Sequence, residues 1–494
     1  MRYAINPQLQ IGETLIDDIQ FDIHSRDDIP QVLRGLQQIY KDTETRDILL
    51  EQIGTVIIAK TDPDTGRPGM SLWCVFVLGV LRLALNSDYD RIMELANEHR
   101  TLRQMLGHGI FDEDKRYGLQ TIKDNASRLT DEVLASINHE IVKHGHRLLG
   151  QENQTLLGRC DSFVVETDVD FPTDVRLLVD AMRKLMAACG KANKSLNEIK
   201  GWRQWEHLYN GLRNLGHKAS KLKKSNASKP EQVKKREALI KQTYQILLDR
   251  SQALLDRVEQ THKELQPCLS PTAVALTQTI EYFLPHATRQ LDQINRRVIL
   301  DETIPHEEKV FSIFEEHTEW ISKGKAGVPV ELGLRVCVLE DPMGFILHHK
   351  VMEKQTDDKI AVAMIEETQV NYPLLKGCSF DKGFHSKSNQ EQLQGLLDEV
   401  TLPKKGKWSK ADRERESTKA FVTARKQHPA IESAINALEV HGLDRCPDHG
   451  IEGFKRYVGW SVVGRNLIKI GAIVQKKERE QLERERQREY RQAA

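Results

Sequence analysis

Val328-Pro-Val-Glu-Leu-Gly-Leu-Arg-Val-Cys-Val338, followed across Asp341-Pro-Met-Gly344 by Phe345-Ile-Leu-His-His-Lys-Val351, is the stretch that decides the fold class. Val328, Val330, Leu332, Leu334, Val336 and Val338 alternate strictly, and a pleated strand places such residues on one face. The intervening turn carries Pro second and Gly fourth, so the second run returns antiparallel to the first. Beyond it, Asp357–Thr368 reads as a helix, Leu374–Phe380 as a buried strand ending at Asp381, Ser388–Leu397 as a helix and Val400–Leu402 as a short strand. A further β-type run lies far upstream, between Leu156 and Val169, through Phe163-Val-Val-Glu-Thr. Together these predict an α/β fold with a mixed sheet flanked by helices.

The remaining sequence is helical in pattern. Asp27–Tyr40, Thr45–Ile53, Ser71–Leu85, Tyr89–Glu98 and Thr130–Leu149 show apolar residues at three- and four-residue intervals, punctuated by Gly66-Arg-Pro-Gly69. We read residues 1–150 as a helical N-terminal DNA-binding domain, since small helical domains commonly place a helix in a DNA groove. Residues 151–175 are the first part of the sheet-containing core. Phe171-Pro-Thr-Asp174 then opens a helix with Thr173 as N-cap, and residues 176–310 read as a helical insertion. Heptad-like spacing from Ala238 to Leu255 predicts a long antiparallel helical pair or bundle there. Residues 311–475 are the remainder of the core, and residues 476–494, alternating Glu and Arg, a solvated helical tail.

At 494 residues the chain is long enough for several domains of roughly 100–200 residues each. Its 72 Lys and Arg balance 72 Asp and Glu, so net charge points to no partner. The distribution does: residues 181–260 hold 18 basic against 7 acidic side chains, a surface suited to polyanions. Seven scattered cysteines without a Cys-x-x-Cys pair fit a reducing cytoplasm and exclude a zinc ribbon. Met1-Arg-Tyr-Ala-Ile-Asn-Pro lacks a signal segment, and the apolar run Met70–Leu81 is shorter than the roughly 20 residues of a membrane span, so we expect a buried helix and no membrane partner. His139-Glu-Ile-Val-Lys-His144 spaces its histidines five apart, wrong for one zinc ion. Walker and Gly-x-Gly-x-x-Gly loops are absent, so nucleotide-driven chemistry has no support.

Three acidic residues attract attention by position. Asp381, in Asp381-Lys-Gly-Phe-His385-Ser, ends a strand; Asp161, in Cys160-Asp-Ser-Phe-Val-Val-Glu166, lies at a strand end; Glu432 follows Pro429 in a helix whose apolar stripe is Ile431, Ile435 and Leu438. At about 100° per residue Glu432 falls on the edge of that stripe. Three such carboxylates can hold a pair of Mg²⁺ ions, with Mn²⁺ able to substitute, because magnesium takes oxygen ligands and keeps positions open for water and phosphate. Asp168 and Asp170 are rivals of Asp161, and Glu439 is the rival of Glu432. Asp174 reads as a helix-start residue.

The ordered set Asp161-Ser-Phe-Val-Val-Glu-Thr-Asp-Val-Asp-Phe-Pro-Thr-Asp174, Lys323-Gly-Lys325, Asp381-Lys-Gly-Phe-His-Ser386, His428-Pro-Ala-Ile-Glu432 and His441-Gly-Leu-Asp-Arg445 closely resembles bacterial insertion-sequence transposases of the DDE class, over about residues 30–475. The resemblance implies an RNase H-like catalytic core with Asp161, Asp381 and Glu432 as catalytic metal ligands. Gaps of 220 and 51 residues separate them, so the helical block would interrupt the core. It implies a Mg²⁺-dependent endonuclease that cuts at transposon ends and joins the 3′-hydroxyls to target DNA, acting as a homodimer on double-stranded DNA and located in the cytoplasm with the nucleoid. Many relatives carry Tyr, Arg and Lys around the glutamate where this chain has Arg425, His428 and Glu439. For DNA contact the candidates are Lys323, Lys325, Lys382, His385, Lys404, Lys405, Lys407, Trp408, Arg425 and His428, basic groups for phosphates and an aromatic that can stack on an unpaired base. Trp202 and Trp205 read first as packing residues of the helical block. Two other readings stay open: a transposase-derived DNA-binding protein that no longer cuts, and a structure-specific nuclease on the same fold.

Overall fold

The structure, a computed structural model, describes the chain except residues 1, 6–11, 59–68, 113, 197–198, 225, 227–228, 323–329 and 494. Gly66-Arg-Pro68, Lys323, Lys325 and Val328 therefore lie outside the described residues. The chain divides into two compact units, Met1–Asp168 with Glu319–Ala494, and Val169–Thr318.

The first unit is built on a seven-stranded mixed sheet: β1 (Leu156–Thr167), β2 (Glu319–Ser322), β3 (Val330–Glu340), β4 (Ile346–Met352), β5 (Leu375–Phe380), β6 (Glu399–Thr401) and β7 (Arg445–Cys446). β1 is central. β3 runs antiparallel to it with Val338 opposite Asp161, and β5 runs parallel with Phe380 beside Cys160. β4 and β2 pair antiparallel with successive stretches of β3, β6 lies parallel to β5, and β7 joins the far end of β1. The hairpin forms where its turn residues require it. Gly344 adopts φ +85°, its N–H donates to the Asp341 carbonyl at 3.1 Å, and the Asp341 carboxylate accepts from Phe345 N–H at 2.9 Å. Strict alternation predicts one buried face for β3, yet Cys337 and Leu339 are as buried as Val336 and Val338. β3 lies inside the sheet with both faces covered, which periodicity alone does not reveal.

Helices of the N-terminal region share this unit's core. Leu72–Ala84 is buried along its whole length, as expected of the apolar run at Met70–Leu81. Asp131–Leu149 and the long helix Ile451–Ala493 pack on β4. Asn466 donates to the Asn138 side chain at 2.7 Å and to the Ile346 carbonyl at 2.9 Å, and accepts from Ile346 N–H at 3.0 Å, so the sheet edge is tied to both helices. The expected last apolar helix and the charged tail are one continuous helix, buried up to about Ile470 and exposed in its charged end. Where it crosses Asp28–Lys41, glycines bring the backbones together. A Cβ on Gly35 would stand 2.2 Å from the Leu467 carbonyl oxygen, and one on Gly471 2.0 Å from that of Gln31. Because the obstacle is backbone, Gly35→Ala is expected to destabilise the unit by about 1–3 kcal/mol, read as a lower urea midpoint with unchanged slope.

The second unit is a helical bundle of Asp174–Ser195, Trp205–Lys224, Pro230–Leu265 and Pro271–Ile294, with its own apolar core. Thr173 caps the first helix by accepting from Arg176 N–H, as expected. The heptad-like stretch lies within one 36-residue helix that packs against its neighbours. Trp202 is buried and donates through Nε1 to Thr261 Oγ1 at 2.8 Å, and Trp205 packs on the same core. Both are packing residues. No helix among the described residues is long and apolar enough to cross a membrane, and the seven cysteines are free thiols.

Candidate active site

Sheet register brings the first two carboxylates together. β1 and β5 are parallel with Cys160 beside Phe380, so the next residues, Asp161 and Asp381, are neighbours across one interstrand spacing of about 4.8 Å. Asp161 is not at a strand end, as its sequence context suggests, but midway along β1. Asp381 is the first residue past β5, and its carbonyl accepts from Phe384 N–H at 3.2 Å to start a short 3₁₀ turn, Lys382–Phe384. Glu432 stands exposed in the first turn of the helix Ala430–Leu438, whose Ile431, Ala434, Ile435 and Leu438 are buried and which packs on β1. Gly442 follows at φ +96° in a π-helical turn, Glu439–Leu443.

Three other carboxylates act on Asp161 through their charge. Burial first, and then the charges of Asp381, Asp357 and Glu432, raise its pKa to about 6, against the opposing effect of Ser162 N–H, which donates to Asp161 Oδ1 at 2.8 Å. Among the described residues no Lys or Arg pairs with any of the four carboxylates. The three residues singled out in the sequence are thus brought into one neighbourhood.

Asp357 is the member that sequence reasoning missed. As the first residue of the helix Asp357–Asn371 it reads as an acid placed to suit the helix dipole. In the structure its Oδ1 accepts from Ser162 Oγ at 2.6 Å, linking it to the residue next to Asp161. Its Oδ2 also explains Gly383: a Cβ there would lie 2.8 Å from that oxygen. A tight turn does not explain this glycine, because Gly383 is absent from the positive-φ glycines. The sequence signal that could have found Asp357 is Ser162, a hydroxyl just before the apolar run Phe163-Val-Val165 and beside a candidate ligand.

His428 completes the near surroundings. Its Nδ1 is 3.0 Å from Ser379 Oγ, two residues before Asp381, and it sits one helical turn before Glu432. Burial lowers its pKa, the carboxylates of Asp381 and Glu432 oppose that, and Arg159 adds to it. His385 is half-buried, its pKa lowered by burial and by Lys404 nearby. Lys404 leads a basic loop fixed from beneath: buried Glu416 accepts from Lys404 N–H at 2.7 Å, while Lys405, Lys407 and Trp408 are exposed. Lys382 and Arg425 are also exposed. The rivals of Asp161, and the helix-start residue Asp174, are engaged elsewhere. Asp168 pairs with Arg445 at 2.6 Å, Asp170 pairs with Arg176, and Asp174 pairs with Arg297 at 2.6 Å. His139 and His144 go separate ways, His144 Nδ1 binding Asp42 at 2.7 Å.

Among the described residues, no three His, Cys, Asp or Glu side chains are gathered closely enough to ligate one ion as they stand. The chemistry of the donor set nevertheless fits divalent cations: all-oxygen, acidic, half-buried at Asp161 and, among the described residues, paired with no Lys or Arg. Comparisons with protein-family models, curated proteins and solved structures find no match to this chain.

Proposed function

We propose that the chain is a DNA transposase of the DDE class, with Asp161, Asp381 and Glu432 as its metal-binding catalytic residues. The observation that carries this reading is that, across sequence gaps of 220 and 51 residues, the charges of Asp381 and Glu432 both act on Asp161, midway along the central strand. The strand arrangement supports an RNase H-like core: β4, β3 and β1 alternate in direction, and β5 and β6 run parallel to β1.

Asp161, Asp381 and Glu432 would hold Mg²⁺, with Asp357 at the edge of the set. Ions bound there supply electrostatic stabilisation of the attacking and leaving oxygens in an in-line displacement at phosphorus. Above a pH of about 6 Asp161 is ionised and able to take part. Ser162 positions two carboxylates at once, its N–H on Asp161 and its hydroxyl on Asp357. Ser379 fixes the His428 ring, leaving Nε2 for a DNA phosphate. Water is the nucleophile of the cut, and the freed 3′-hydroxyl that of the joining step. Two ends must be held together, which calls for a homodimer on DNA.

The test is a search for inverted repeats flanking the gene, followed by incubation of the purified chain with DNA carrying them, with and without Mg²⁺. Nicks exposing 3′-hydroxyls at the repeat ends, and their joining to a second DNA, are expected. Tight end binding without cleavage would favour a silent DNA-binding protein, and cleavage without end preference a structure-specific nuclease. The basic loop gives a separate expectation. Replacing Lys404, Lys405 and Lys407 with Ala should weaken binding uniformly across DNA sequences and reduce the slope of log affinity against log salt by about three, measured by fluorescence anisotropy.

A further inference from the structure

The helical bundle carries a groove of about 510 Å³ between the helices Asp174–Ser195 and Trp205–Lys224, lined by residues of its own unit. The basic excess read between residues 181 and 260 reaches it through the second of these helices, which holds five Lys or Arg and one Glu. Tyr209, Arg213, Gly216, His217, Ser220 and Lys224 line one side. At about 100° per residue these six fall within a stripe about 100° wide, so the helix turns a single face to the groove. The floor is apolar. A Cβ on Gly216 would stand 3.1 Å from the side chains of Val175 and Val179, both buried, so the helices pack closely there and the longer side chains stand at the rim.

The unpaired charge at the rim is of one sign. Arg176 pairs with Asp170, and the half-buried Asp180 lies in the field of Arg183 and Arg176. Arg213 and Lys224 are exposed and have no acidic partner among the described residues, Arg213 lying over the Tyr209 ring at 6.0 Å. Lys218, Lys221 and Lys224 follow one another at three-residue intervals, all exposed. Such a like-charge series costs a helix stability, and a polyanion laid along it offsets that cost by releasing its own counterions.

Arg213 and Lys224 are eleven residues apart, about 16 Å along the helix axis, too far to share one phosphate. A nucleic-acid strand sets its phosphates about 3.4 Å apart along a duplex axis and spans that distance. An acidic peptide also carries spaced anions, but it leaves Tyr209 and the 59% exposed Phe171 uncovered, whereas sugars and bases cover aromatic faces. We propose that this groove binds the sugar–phosphate backbone of a DNA strand, with Arg213 and Lys224 on its phosphates. The surface makes no use of the carboxylates and rests only on the DNA-binding part of the proposed function.

Fluorescence anisotropy of the full chain on a labelled duplex and a labelled single strand, at a series of salt concentrations and with a chelator so that no strand is cut, tests this. In Arg213→Ala with Lys224→Ala the slope of log affinity against log salt is expected to fall by about two, one for each cation. Arg213→Lys with Lys224→Arg should keep the wild-type slope. Lys263→Ala with Arg289→Ala, exposed cations of the same unit that do not line the groove, should leave it within about half a unit of the wild type. A fall on the duplex identifies a strand held within the double helix, and a fall on the single strand alone an unpaired one. An unchanged slope in the groove variant, an equal fall in the Lys263 and Arg289 pair, or displacement of the DNA by polyglutamate at matched charge would overturn the groove alone. A wild type that binds no DNA would overturn the proposed function together with it.

Discussion

On the proposed transposase reading, Asp381→Asn is expected to lower Mg²⁺-dependent cleavage of DNA ends by about three orders of magnitude, the scale seen when a preorganised charge-stabilising group is lost, while end binding stays within a few-fold of wild type. The substitution is nearly isosteric and lies just past β5, outside the ladder that holds β5 to β1. Its carbonyl, which starts the 3₁₀ turn, is backbone and is kept. What changes is charge: Asn supplies a weaker, neutral oxygen where the donor set is proposed to hold cations. Gel assays of strand cleavage with end-labelled DNA, beside mobility shifts on the same DNA, separate the two effects. Cleavage at wild-type rates would remove Asp381 from the chemistry and with it the whole assignment of the site.

Glu432→Gln should behave similarly, but Gly383→Ala is more informative about the wider set. A methyl group at Gly383 must displace Asp357 Oδ2 and leaves the other three carboxylates in place. A fall in cleavage without a fall in DNA binding would then mark Asp357 as part of the working site.

Much of this was legible in the sequence because periodicity and turn chemistry are local. The hairpin needed only the alternation of β3 and Asp341-Pro-Met-Gly344, and the helical block stood out because strand patterns stop at Val169 and resume at Val328, although the short strand Glu319–Ser322 was missed. Asp381 and Glu432 were findable because each sits at the junction of a legible element and a turn. Asp161 was found, but misplaced to a strand end, because β1 begins at Leu156 with residues whose alternation is weak: Leu157 is exposed and Arg159 half-buried at the edge of the pattern. Asp357 was illegible for a different reason. An acid in the first turn of a helix has a sufficient local explanation, and only sheet register, set by pairings 177 residues apart in sequence such as Asp161 with Val338, brings Ser162 to it.

The carboxylate cluster should also be visible in stability, with a sign opposite to that of an ordinary ion pair. Asp161 has its pKa raised from 3.8 to about 6, first by burial and then by Asp381, Asp357 and Glu432. Below the lower value both folded and unfolded chains carry the proton and Asp161 costs nothing. Between the two values the folded chain keeps a proton that the unfolded chain has released, so stability falls as pH rises through this window. Above about 6 the penalty is complete, about 3 kcal/mol for a shift of about two units. Asp161→Asn removes the charge while its amide oxygen can still accept from Ser162 N–H. In the presence of a chelator the variant is therefore expected to be more stable than the wild type by about 3 kcal/mol at pH 8, and nearly equal to it at pH 4. Added Mg²⁺ should raise the wild type toward the variant and leave the variant unmoved, because a ligand that binds only the folded state stabilises it in proportion to occupancy. Urea unfolding of both proteins at a series of pH values measures this directly. A gap that does not widen with pH would mean that the four carboxylates do not share one field. A gap that widens but ignores Mg²⁺ would leave the charge cluster in place and take away its metal.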